Sequence, residues 1–102
     1  MNTVQLIGRL TADPDFRITP NGHNVCRMRL AVPGARRDQT PVFVDVEAWN
    51  KTAEACDRHL EKGRRVSVQG RLGHDQWQTD NGSKRQRHYI VAASVQFLDP
   101  RP

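Results

Sequence analysis

The sequence predicts an all-β fold interrupted by one short helix. Apolar and polar residues alternate in five separate stretches, a single helical pattern follows the third of them, and Gly, Pro, Asn and Asp collect in the gaps. Strand, strand, strand, helix, strand, strand is the order of an OB-fold, a five-stranded, partly open Greek-key barrel. In that fold the face of strands two and three, with the 1–2 and 4–5 loops, is the usual ligand surface.

The first strand is "NTVQLIGRL", in which Val4, Leu6, Gly8 and Leu10 share one side. A glycine inside a strand points to a bend or a close backbone approach, as at a barrel corner. "TADPDFRITPNGHN" reads as a connection with a turn at Pro20-Asn21-Gly22. The second strand, "VCRMRLAV", puts Cys26, Met28, Leu30 and Val32 on one side and Arg27 and Arg29 on the other. "PGARRDQTP" is a loop carrying Arg36 and Arg37.

The third strand, "VFVDVEAW", offers Val42, Val44, Val46 and Ala48 as core. Its other side carries Phe43, Asp45, Glu47 and Trp49. "NKTAEACDRHLEKG" is a helix with Ala53, Cys56 and Leu60 on its inner face. Asn50 or Thr52 can cap its start, and Gly63 stops it. The fourth strand, "RRVSVQGRL", points Val66, Val68, Gly70 and Leu72 inward. Asp80-Asn81-Gly82 then turns a hairpin whose return arm reads as core at Tyr89, Val91, Ala93, Val95 and Phe97. Residues 1–98 form the expected domain, and 99–102 an end without structure of its own.

The chain has 102 residues, a formal charge of +5, 36% hydrophobic residues and a mean hydropathy of −0.74. So lean a core leaves apolar surface for a partner subunit to complete. The basic excess is local: Lys62, Arg64, Arg65, Arg71, Lys84, Arg85 and Arg87 face only Asp75 and Asp80 between residues 62 and 87. Such a balance favours a polyanionic partner, most often nucleic acid. Cys26 and Cys56 lack disulfide or zinc spacing and read as buried thiols. No apolar run is long enough for a membrane span or signal peptide, so the expected location is the cytoplasm, with the nucleoid.

Two large aromatics beside charges, opposite an aliphatic core side, mark a surface for stacking. Phe43 and Trp49 stand about 20 Å apart along the strand, room for several extended nucleotides. Trp77 adds a third aromatic in the hairpin. Arg27, Arg29, Arg36, Arg37, Arg71, Lys84, Arg85 and Arg87 are the expected phosphate contacts around the groove. Asp45 and Glu47 could repel phosphate or pair with Arg27 and Arg29 across the strand. His23, His59, His74 and His88 show no ligand spacing, and no nucleophile–base pairing or phosphate-cradling loop is present. Neither catalysis nor a metal or other cofactor is expected.

"LIGRLTADPDFRITPNG", "FVDVEAWNKTAEACDRHLEKGRRVSVQGRL" and "WQTDNGSKRQRHYIVAASVQFL" resemble the bacterial single-stranded DNA-binding protein family over roughly residues 2 to 98. The resemblance implies DNA stacking at Phe43, Trp49 and Trp77. A further family tryptophan falls at about Arg36, which implies a phosphate or guanidinium contact there instead. It also implies a homotetramer, with a dimer as second choice. Members usually continue into a disordered tail with an acidic end that recruits other proteins. A chain ending at Pro102 is expected to bind DNA without that recruitment. It is then either a naturally tail-less form, like the primosomal OB-fold proteins, or a DNA-binding core alone.

Three functions compete at this point. The first is sequence-tolerant binding of single-stranded DNA in replication, recombination or repair. The second is a protein-interaction adaptor on an OB scaffold. The third, a metal-dependent nuclease, needs an acidic constellation beyond Asp45 and Glu47.

Overall fold

Alternation along Val4–Leu10 makes β1, with Gly8 and Leu10 buried and Gln5, Ile7 and Arg9 exposed. The computed structural model describes residues 1–99. Beyond β1 come β2 (Asp15–Ile18), β3 (Asn24–Val32), β4 (Val42–Trp49), α1 (Asn50–His59), β5 (Arg65–Gln78) and β6 (Lys84–Phe97). The sheet runs β1-β5-β6-β4-β3-β2, and β1 also pairs with β3, which closes the barrel. All pairings are antiparallel except β4 with β6. This is the predicted OB-fold, with its helix in the predicted place.

The core is aliphatic and small. Leu30, Val46, Val66, Val68, Cys26 and Cys56 are fully buried, with Leu10, Met28, Ala48, Ala53, Leu60 and Ile90 around them. Helix α1 lays Ala53, Cys56 and Leu60 over one end of the barrel, against β3 and β4. Burial pushes the Cys26 thiol up to about 12, helped by neighbouring Cys56, and burial pushes Cys56 up to about 11. Both thiols stay protonated at neutral pH and serve as small apolar fillers. Among the described residues no helix is long and apolar enough to cross a membrane.

Close backbone approach explains two of the glycines. At Gly8, where β1 crosses from β5 to β3, a Cβ would stand 2.8 Å from the Ala31 carbonyl oxygen. At Gly70 it would stand 2.1 Å from the Val91 carbonyl oxygen, beside a β-bulge between β5 and β6. Gly70→Ala is therefore expected to cost about 1–3 kcal/mol, the usual range for overpacking. A lowered urea midpoint with an unchanged slope is the readout.

The bulge corrects several expected core positions. Gln69 pairs with Ser94 and Gly70 with Ala92, so Ala93 is an extra residue on β6 and the inward phase slips by one. Ile90 is buried and Ala92 packs on the core before the slip, and Val95 packs on it afterwards. Ala93 is exposed, Val91 and Tyr89 point to the outer side, and Phe97 is 37% exposed beside His59. Leu72 and Val42, also expected inside, are 47% and 56% exposed at the barrel rim.

Two smaller expectations change as well. Residues Asp15–Ile18, read as loop, form β2 against β3, with Phe16 turned toward the core. Neither Asn50 nor Thr52 caps α1. Extended Trp49 is the N-cap and makes no side-chain cap bond, while Asn50 takes a left-handed φ of 56° to start the helix. The helix ends at His59 with Leu60 as cap, and Gly63 lies in the turn beyond. Asp99 accepts a bond from the Arg65 amide. The rest of the expected unstructured end, 100–102, lies outside the described residues.

Candidate nucleic-acid interface

Directly opposed residues share a sheet face, so pairing register alone assembles the outer surface. On β3 and β4 the opposed pairs are Ala31–Phe43, Arg29–Asp45, Arg27–Glu47 and Val25–Trp49. Glu47 then neighbours Val91 on β6. On β5 and β6 the pairs are Arg71–Val91, Gly73–Tyr89, Asp75–Arg87 and Trp77–Arg85. One continuous face thus runs from Phe43 and Trp49 across to Trp77 on the projecting hairpin. Phe43 is 51% exposed and Trp77 49%, whereas Trp49 is half-buried at the head of the helix.

Between the aromatics lies a ladder of ion pairs. Arg29 Nη1 meets Asp45 Oδ1 at 3.1 Å. Arg27 Nε meets Glu47 Oε2 at 3.3 Å, and Arg87 Nη2 reaches the same oxygen at 3.2 Å and Asp75 Oδ2 at 3.4 Å. The Tyr89 hydroxyl donates to Asp75 Oδ1 at 3.1 Å. Burial, then the hydrogen bond and negative charge of Asp75, hold the Tyr89 phenol above its ordinary range, so it stays a donor. The arginines also lie over rings: Arg29 is 5.5 Å from the Phe43 centroid and Arg87 4.4 Å from that of Tyr89. Glu47 is only 5% exposed and is the one buried charged side chain among the described residues.

The predicted site residues fall into three groups. Phe43, Trp49, Trp77, Arg27, Arg29, Arg71, Arg85 and Arg87 share the outer face. Lys84 opposes Gln78 and projects from the other side of the hairpin, where His74 and His88 stack 4.6 Å apart. Arg36 and Arg37 occupy the β3–β4 loop, where their groove is shared with Ile7, Arg9 and Arg65 rather than with Trp49 or Trp77. Arg36, Arg37, Arg71, Lys84 and Arg85 have no carboxylate within 4.0 Å among the described residues.

Tyr89 joins this face although its alternation suggested core. Counting back from the Asp80-Asn81-Gly82 turn, with Gln78 opposite Lys84, puts Tyr89 across from Gly73 and on the side of Trp77. Gly73 makes room for it, since a Cβ there would come within 2.8 Å of the Tyr89 ring.

Comparison with known proteins agrees with this architecture. The model of the "Single-strand binding protein family" matches residues 1–98. A single-stranded DNA-binding protein of Bacillus cereus is 41% identical over 105 residues, covering 99% of this chain and 62% of the relative. One from Helicobacter hepaticus is 34% identical, covering 99% of this chain and 63% of the relative. "Single-stranded DNA-binding protein 2" of Staphylococcus aureus is 38% identical, with 99% and 74% covered. The chain thus spans under two thirds of the length of the first two relatives. With a closed six-stranded sheet, the helix between β4 and β5 and a family match over nearly its whole length, this chain belongs to the single-strand binding protein family.

Proposed function

We propose that the protein binds single-stranded DNA without strong sequence preference, as a non-catalytic binder acting where strands are unpaired in replication, recombination or repair. The observation that carries this reading is the continuous outer face that holds Phe43 and Trp49 on β4 and Trp77 on β5, with β6 between the two strands. Each base has a π-face that an aromatic ring accepts whatever the sequence, and unpaired bases alone offer it. Arg71 and Arg85 on that face, Lys84 on the other side of the hairpin, and Arg36 and Arg37 in the β3–β4 loop have no carboxylate within 4.0 Å among the described residues and neutralise backbone phosphates. Tyr89 belongs to the stacking face as a fourth ring. The relatives, named as single-stranded DNA-binding proteins, support the same substrate.

We place the protein in the cytoplasm with the nucleoid, as a homotetramer. Ile7, Val42 and Leu72, each more than 40% exposed, provide apolar surface for self-association. Sedimentation of the free protein tests this; a monomer at micromolar concentration would refute it.

Both tryptophans are proposed stackers, so intrinsic emission reports on the claim. Addition of oligo(dT) is expected to quench it strongly, and a duplex of equal length far less. Equal response to the two, or none, would make Trp49 and Trp77 structural and leave the adaptor reading in front.

A further inference from the structure

We infer that Asp45, Glu47 and Asp75 are specificity-determining residues: they hold the arginines of the outer face and so make it reject polyanions that offer no bases to stack on, the double helix above all. This rests on the single-strand reading and names how that site discriminates.

The charge distribution is the starting point. In the middle of the face three arginines, Arg27, Arg29 and Arg87, meet three carboxylates, Asp45, Glu47 and Asp75, at 3.1–3.4 Å. The formal charge there cancels, so the protein's positive excess acts from the margins. A duplex is bound almost wholly through its phosphates. Its bases are stacked on one another and cannot reach Phe43 or Trp77. To use the central arginines, a duplex phosphate must take them from their carboxylates.

Glu47 makes that exchange unfavourable. Its Oε2 accepts a hydrogen bond from Arg87 and is ion-paired with Arg27 at 3.3 Å, and its side chain is 7% exposed. Drawing either arginine away leaves a desolvated carboxylate short of a partner, which is strongly destabilising. The phosphate returns to the arginine only the charge-assisted bond it has lost. A backbone phosphate near Asp45 or Asp75 meets like charge as well. A single strand escapes this penalty, because its bases lie on the rings and its phosphates can keep to the rim. The carboxylates therefore cost single strands little and duplex much, which is specificity by rejection of the wrong partner.

The test is fluorescence anisotropy with labelled oligo(dT) and a labelled duplex of equal length, from 50 to 400 mM salt, on the full chain. Asp45→Asn and Glu47→Gln are the variants. The first changes a partly exposed residue and keeps the fold safe; the second keeps a hydrogen-bond acceptor in the buried position. Each variant is expected to bind duplex at least about fivefold more tightly at low salt, with a slope of log K against log salt steeper by about 0.9 for each phosphate newly contacted. The gain for oligo(dT) is expected to be smaller, so the single-strand preference falls. Unchanged duplex affinity and slope in both variants would overturn the inference, and so would equal gains for both ligands. A wild-type protein with no preference for oligo(dT) would instead overturn the single-strand reading itself.

Discussion

Replacing both Trp49 and Trp77 by alanine is expected to lower affinity for oligo(dT) by a factor of about 30 to 20,000. Each ring that stacks on a base contributes about 1–3 kcal/mol, a magnitude established on single-strand binding folds of this kind rather than deduced from this chain. Two rings then amount to about 2–6 kcal/mol, and each 1.4 kcal/mol is about tenfold. The two residues differ in what else they do. Trp77 stands on the hairpin, 49% exposed, so its loss leaves the barrel intact. Trp49 is half-buried and begins the helix, so Trp49→Ala costs stability too. Trp49→Phe separates the two effects, since it keeps an aromatic face and much of the packing. Labelled oligo(dT) anisotropy is the measurement, with a urea midpoint beside it. A double variant that binds oligo(dT) within threefold of wild type would show that stacking does not carry the affinity.

The readable part of this structure is the part governed by strict period-two alternation. β4 illustrates it. Val46 and Ala48 are buried, Phe43 and Asp45 face out, and of the two roles open to Asp45 and Glu47 the structure shows the cross-strand one, with Arg29 and Arg27 as partners. The helix was legible for a similar reason, because Ala53, Cys56 and Leu60 recur at helical spacing and all lie in the core.

Where alternation breaks, the reading broke with it. One extra residue at Ala93 puts the positions before it out of phase with Val95 beyond it, so that Ile90 and Ala92 face inward rather than Tyr89 and Val91, and nothing in "HYIVAASVQF" marks a bulge, since residues on both sides of the slip are apolar. The compensating signal sits in the other strand, at Gly70, where only a missing Cβ lets Val91 approach. β2 was hidden differently. Four residues between prolines look like loop, and only Phe16 of the four turns inward, so no periodicity could develop. The burial of Glu47 has a third cause. It depends on Arg87, forty residues away, closing over it across the β4–β6 pairing, a contact that no local pattern encodes.

Salt dependence separates basic residues that are free from those that are held, and it is the second large expected effect. Each phosphate neutralised on a single strand adds about −0.7 to the slope of log K against log salt. With Arg36, Arg37, Arg71, Lys84 and Arg85 as the contacts, the slope is about −3.5, and affinity falls about 100-fold between 50 and 200 mM salt. Were Arg27, Arg29 and Arg87 equally available, the slope would be about −5.6 and the fall about 2,000-fold. The shallower value is expected, because those three guanidiniums already have carboxylates at 3.1–3.4 Å and a phosphate gains little by replacing them. Alanine at Arg71 and Arg85 together should bring the slope up by about 1.4. Alanine at Arg27 should leave it nearly unchanged, since that side chain contributes a partner for Glu47 rather than a counterion for DNA. A slope near −5.6 in the wild-type protein, or an equal change on removing Arg27, would mean that DNA opens the ion-pair ladder on binding. The central arginines would then be phosphate ligands after all, with Asp45 and Glu47 serving to park them until a strand arrives.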